Sequence, residues 1–107
     1  MSLEFTANQL KACGHPARLR ILNLLQQQPS LCVCELMRVL DFGQSFVSRH
    51  LAILREADLV IAEKQGTWAH YSLVPNALPL LNVLNLADIA ELQADIRQLN
   101  NAGCQAC

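Results

Sequence analysis

Between Val33 and Ala57 an apolar helical stripe is interrupted once, at Asp41-Phe42-Gly43, and directly afterwards the apolar period changes. Few small folds accommodate both features. Val33, Leu36, Val39 and Leu40 mark the inner side of a short helix over about residues 32–40. Asp41-Phe42-Gly43 reads as a tight turn, because glycine tolerates the positive φ that such a turn often needs. Val47, Leu51 and Leu54 follow at i, i+4 and i+7, which predicts a second helix over about residues 44–57. Residues 59–65 and 68–73 are rich in β-formers and flank Gly66-Thr67, a hairpin turn. Two helices joined by a short glycine-containing turn and followed by a two-stranded hairpin describe a helix-turn-helix with a wing. The expected fold class is mainly α with a β-hairpin wing.

The remaining segments are helical. Leu3, Ala7 and Leu10 recur at helical spacing and Gly14 stops that first helix. Pro16 suits the first position of a second helix, which carries Leu19, Leu22 and Leu25 and ends at Gln28-Pro29. Pro75 and Pro79 precede a last long helix, expected over about residues 80–99, and a cysteine-containing tail at 100–107. The first half of that helix, Leu80 to Leu86, is apolar over too wide an arc for one small core to cover, so it needs a partner. A chain of 107 residues supports one domain, over 1–107. No basic leader with an apolar run and no bilayer-long apolar segment is present, so a cytoplasmic protein without membrane attachment is expected. In that compartment the five cysteines are expected as thiols.

A net charge of −1 argues against a protein that coats nucleic acid without regard to sequence. Residues 1–75 carry seven Lys/Arg against six Asp/Glu, and residues 76–107 carry one against three, which places any nucleic-acid surface in the first part. The second helix of a helix-turn-helix enters the major groove with its N-terminal residues at base edges. With Val47, Leu51 and Leu54 inside, Gln44, Ser45, Ser48, Arg49 and Ala52 turn outward. Gln reads adenine edges, Arg reads guanine or phosphate, and Ser bonds to either. A merely solvated face usually carries several Glu and Lys, whereas Gln44 to Ala52 has no carboxylate. His50 fits either a DNA contact or a buried hydrogen bond within the motif. Lys64, Gln65 and Thr67 at the hairpin tip are candidates for phosphate or minor-groove contact.

Four runs together resemble the ArsR/SmtB family of metal-sensing repressors, most of all its arsenic-responsive branch. They are His15-Pro16-Ala17-Arg18-Leu19-Arg20-Ile21-Leu22, Leu31-Cys32-Val33-Cys34-Glu35-Leu36, Gln44-Ser45-Phe46-Val47-Ser48-Arg49-His50-Leu51, and Lys64-Gln65-Gly66-Thr67-Trp68-Ala69-His70-Tyr71-Ser72-Leu73. The resemblance implies a homodimer built from the first and last helices, which binds double-stranded operator DNA and represses a resistance operon until an inducer binds.

Cys32 and Cys34 are the candidate inducer ligands. The positive end of a helix favours a thiolate there, and neighbouring thiolates select arsenite, antimonite, cadmium or lead over magnesium or calcium. Arsenite or antimonite is the expected inducer, with no organic cofactor. Some arsenic-responsive members carry a third cysteine three residues after the pair; here Met37 stands there. Cys13, Cys104 and Cys107 are the alternatives for a third ligand. Other branches place His and carboxylate ligands on the last helix. This one has Asp88, Glu91 and Asp95 but no His, and those acids are expected to be a solvated face. The competing readings are a cadmium or lead sensor and a repressor that senses thiol oxidation or persulfides. Outside DNA binding, a thiol oxidoreductase or metal carrier would use Cys104-x-x-Cys107. That motif normally opens a helix in a βαβ setting, and here it ends the chain, so no enzyme is expected.

Overall fold

The structure is a computed structural model that describes residues 2–101. Helix α1 (Leu3–Cys13) starts on Ser2, whose hydroxyl accepts from the Phe5 N–H at 3.0 Å, and stops at Gly14. Helix α2 (Pro16–Gln27) starts on His15, whose Nδ1 accepts from the Ala17 N–H at 3.0 Å. Both caps satisfy N–H groups that a helix start leaves unpaired. Strand β1 (Leu31–Cys32) leads directly into α3 (Val33–Leu40), and α4 (Gln44–Glu56) follows the turn. Strands β2 (Val60–Gln65) and β3 (Trp68–Leu73) form the wing. Helices α5 (Leu78–Leu84) and α6 (Ala90–Asn101) complete the described chain.

The core is built from Ile21, Leu22 and Leu24 of α2, Leu36 of α3, Val47, Leu51 and Leu54 of α4, and Leu59 and Leu81, all fully buried. The inward stripe expected for α4 is thus the one the fold uses, and in α3 Leu36, Val39 and Leu40 are buried with Val33 half-buried. In α2 Leu22 and Leu25 are buried as expected, but Leu19 is half-buried and Ile21 and Leu24 are fully covered instead. At the wing, Gly66 takes φ 67 as the first of the two turn residues, and Gln65 pairs with Trp68 across it.

Four expectations change. The left-handed residue in the helix-turn-helix is Asp41, at φ 56, whereas Gly43 sits at φ −73 as the N-cap of α4. Aspartate tolerates this conformation, so the break falls two residues earlier. The wing is part of a three-stranded antiparallel sheet in the order β1-β3-β2, with Leu31 opposite Tyr71 and Cys32 opposite His70. A two-residue strand is too short to show an alternating period.

The single last helix over 80–99 is in fact two. Asn85 adopts φ 50, ψ 48 and ends α5, and a 3-10 turn at Leu86–Asp88 redirects the chain into α6. Folding back lets Leu86, Leu92 and Leu99 join the core, which a straight rod could not do. The fourth change is Asp95, which is not on a solvated face. It is 5% exposed, and Arg20 donates to it through Nε at 2.9 Å and Nη2 at 3.0 Å. A second tie between the same helices runs from the fully buried Asn23, whose Nδ2 donates to the Leu92 carbonyl at 3.1 Å.

Candidate nucleic-acid interface

Helix α4 is held from behind. Val47, Leu51 and Leu54 are wholly buried, and helical geometry then turns Gln44, Ser45, Ser48, Arg49 and Ala52 outward, where all five are exposed. No side chain caps the start of α4, so its first N–H groups and the positive end of its dipole point where Gln44 and Ser45 lie. Such an end suits a phosphate oxygen. Arg49 rests its guanidinium 5.5 Å from the centre of the Phe46 ring, which limits how far it swings. Lys64, Gln65 and Thr67 are exposed at the wing tip.

His50 is not on that face. It is 4% exposed and turned towards α2, where Arg18 Nη1 lies 3.1 Å from its Nδ1 and the His15 ring centre lies 4.6 Å from its own. Arginine has no acceptor, so Nδ1 carries no proton and the neutral ring holds its proton on Nε2. Burial, then the neighbouring His15, Arg18 and Arg49, push the His50 pKa below its ordinary value. Arg18 is itself anchored, since its Nε donates to the Ala12 carbonyl of α1. His50 therefore packs α4 against α2 and does not stand on its outward face.

The turn before α4 is fastened by rings. Phe42 meets Phe46 edge to face at 4.7 Å, and Phe46 meets His50 in the same way at 4.5 Å. Phe42, Phe46, Arg18 and Arg20 went unnoticed as parts of the site. Phe42 and Phe46 lie at and just after the turn, a position that hints at a role, whereas Arg18 and Arg20 lie on α2 and nothing in the sequence hints at the Arg20–Asp95 pair, 75 positions apart.

Cys32 is buried, extended at φ −85, ψ 162, a free thiol and the N-cap residue of α3. Cys34 is half-buried in the first helical turn and disulfide-bonded, so the expectation that all five cysteines stand as thiols is corrected at Cys34. The pair thus straddles a strand-to-helix junction. Glu35 fixes that junction by accepting from the Cys32 N–H at 3.1 Å. Cys13 is buried at the end of α1, and burial pushes its thiol pKa up, with Arg18 opposing more weakly. That disfavours the thiolate, the form that binds metals. Cys104 and Cys107 lie outside the described residues. Among the described residues no three His, Cys, Asp or Glu side chains gather into a metal-holding group. No described helix is long and apolar enough to cross a membrane.

Residues 15–62 match the family described as "Bacterial regulatory protein, arsR family". The chain is 36% identical over 108 residues to the "Arsenical resistance operon repressor" of Escherichia coli (strain K12), covering 97% of this chain and 92% of that protein. It is 40% identical over 65 residues to the protein of the same name from Bacillus subtilis (strain 168), covering 61% of this chain and 62% of the relative. Among solved structures it is similar to the transcriptional repressor PagR of Bacillus anthracis, with TM-score 0.71 and 36% identity, covering 79% of this chain and 98% of that one. It is also similar to the homodimeric winged helix-turn-helix DNA-binding domain (fragment 1–100) of Mb0332 from Mycobacterium bovis, with TM-score 0.73 and 26% identity, covering 79% of each chain. A near-full-length alignment with a family repressor, on a fold that presents an uncapped, exposed α4 beside a wing, shows that this chain belongs to the ArsR family of bacterial transcriptional repressors, DNA-binding regulators and not enzymes.

Proposed function

We propose that the protein works in the cytoplasm as a homodimer that represses transcription from operator DNA and lets go when arsenite or antimonite binds Cys32 and Cys34. The observation that carries the DNA part is the exposed face of α4, where Gln44, Ser45, Ser48 and Arg49 stand on a fully buried stripe. These residues read base edges and phosphates, and Lys64, Gln65 and Thr67 steady the wing on the backbone. The dimer is supported by the apolar residues that α1 and α5 leave in water. Leu3 is 88% exposed and Val83 76%, with Leu10, Leu78 and Leu84 beside them in the two helices. The homodimeric Mb0332 domain has the same fold.

The inducer part rests on donor chemistry and on the names of two relatives. Once the disulfide at Cys34 is reduced, Cys32 and Cys34 offer two sulfurs to a thiophilic ion at a place where the backbone changes from strand to helix. Residues two apart on an ideal helix point about 200° away from one another. An extended Cys32 before a helical Cys34 relieves that conflict. Cys32 also pairs with His70 of the wing, and α3 braces α4, so a change at this junction reaches both parts of the DNA surface. An ion releases DNA only through its different affinity for the two shapes of the junction.

The test is a fluorescence anisotropy titration of protein bound to a labelled DNA duplex, with arsenite, antimonite, cadmium and lead added under reducing conditions. Arsenite or antimonite is expected to weaken DNA binding about 5–150-fold. Cys32→Ser and Cys34→Ser are expected to bind DNA normally and to stay bound when arsenite is added. Release of both variants by arsenite at the parent's concentration defeats this mechanism, and release by oxidant alone favours the thiol-redox reading. The Cys104→Ser, Cys107→Ser double variant asks whether the tail supplies a third sulfur, since retained release excludes it.

A further inference from the structure

We infer that Asp95 of α6 is a positioning residue for the DNA-reading helix, acting through Arg20 and Phe42. This rests on α4 being the helix that reads DNA. The contacts form an unbroken series. Both carboxylate oxygens of Asp95 accept from Arg20, at 2.9 and 3.0 Å, which fixes the guanidinium in one plane. The central carbon of that guanidinium lies 5.0 Å from the centre of the Phe42 ring. Phe42 stands in the turn between α3 and α4, directly before the Gly43 N-cap, and packs edge to face on Phe46. Phe46 in turn carries Arg49 over its ring on the groove side and meets His50 on the buried side.

Cohesion between α2 and α6 alone does not call for this arrangement. A buried carboxylate must recover its lost hydration, and an apolar side chain of similar volume often holds two helices together equally well. What the ion pair adds is direction. The Arg20 side chain is 33% exposed, so without Asp95 its head is free to turn to water and leave the Phe42 face uncovered. Phe42 then loses a cation contact on a half-buried ring in the turn that leads into α4. The position of α6 is thereby passed to Arg49, on the far side of the molecule's turn motif.

The experiment measures DNA affinity by anisotropy, on a duplex enriched from a random pool by the parent protein. Thermal unfolding and sedimentation are followed on the same samples. Asp95→Asn keeps the shape and is expected to fold, to assemble as the parent does, and to bind DNA about five-fold or more weakly. Arg20→Lys, which keeps the charge and loses the fork, is expected to behave alike and serves if Asp95→Asn lowers the folded fraction. Phe42→Leu combined with Asp95→Asn is expected to be no weaker than the weaker single variant. The Arg20→Asp, Asp95→Arg swap restores the ion pair but places a carboxylate near Phe42. It is expected to recover thermal stability and not DNA affinity. The inference is overturned if Asp95→Asn stays within about two-fold of the parent while Arg49→Ala weakens binding, if the swap recovers DNA affinity, or if the two single effects multiply in the double variant. Unchanged affinity for Arg49→Ala would overturn the reading of α4 itself, and this inference with it.

Discussion

Helix α4, on one side, and helices α1 and α5, on the other, carry apolar stripes that meet opposite fates. Val47, Leu51 and Leu54 of α4 are fully covered by the rest of the chain. Leu3, Ala7 and Leu10 of α1 all lie in water, and the side that α1 turns inward carries Gln9, Ala12 and Cys13. Gln9 is even placed to donate to the Ala57 carbonyl at 3.2 Å, a polar anchor where an apolar one would be ordinary. In α5 only Leu81 is fully buried, while Val83 and Leu84 are exposed. An amphipathic pattern therefore says that a face will be covered, and leaves open whether the same chain covers it. Where large apolar residues stay exposed on two helices, a second copy is one way to cover them.

That contrast is open to attack from both sides. Truncation in the closed region is expected to have the largest effect: Leu51→Ala should lower unfolding free energy by about 2–5 kcal/mol in a urea titration. A loss below about 1 kcal/mol would mean that α4 is not packed as described. A charge in the open region should act differently. Val83→Asp is expected to leave a cooperatively folded chain that sediments as a monomer at micromolar concentration, where the parent sediments as a dimer. If the variant and the parent sediment together, the open face is not the interface.

The exposed side of α4 sharpens the comparison further, since Gln44, Ser45, Ser48 and Arg49 stand outside the buried core. Arg49→Ala is expected to weaken DNA binding by about 1–3 kcal/mol if Arg49 reads a base. A loss that is equal on all sequences, with a shallower salt dependence, would assign it to phosphate. In either case the unfolding free energy should move by less than about 0.5 kcal/mol.

The smallest expected effect concerns His50 on the buried side. Its pKa lies below the ordinary 6.5 because of burial and then the positive neighbours. As pH falls past 6.5, the unfolded chain takes up a proton that the folded chain refuses. Stability should therefore drop as the pH is lowered through the window just under 6.5, by at most about 1.4 kcal/mol per pH unit from this group. His50→Gln should flatten that slope in a pH series of urea titrations, and an unchanged slope would remove His50 as its source.

The parts of the fold that were legible share a property. The boundaries of α2, α4 and the hairpin follow from neighbours in sequence: His15-Pro16 at one start, Gly66-Thr67 at one turn, and the i, i+4, i+7 spacing of Val47, Leu51 and Leu54. Leu80 to Leu99 misled because its stripe stays helical through Asn85, and only the gain from burying Leu86, Leu92 and Leu99 against α2 and α3 explains the break. His50 was ambiguous for a related reason, since it lies at the edge of the buried stripe and only Arg18 and His15 decide which way it faces.

The sequence by itself determined the local chemistry: where α1, α2 and α4 start and stop, which residue types stand on the outer face of α4, and which two cysteines lie close together. Those features depend on backbone preferences and on spacings of a few residues, which any chain carries wherever it folds. Tertiary structure alone decided that Asp95 meets Arg20, that Cys32 joins the sheet of the wing, and that His50 turns inward. These join residues 75, 38 and 32 positions apart, in that order. Such contacts have no period to read, because they arise only when helices and strands with their own local reasons to form are packed to exclude water.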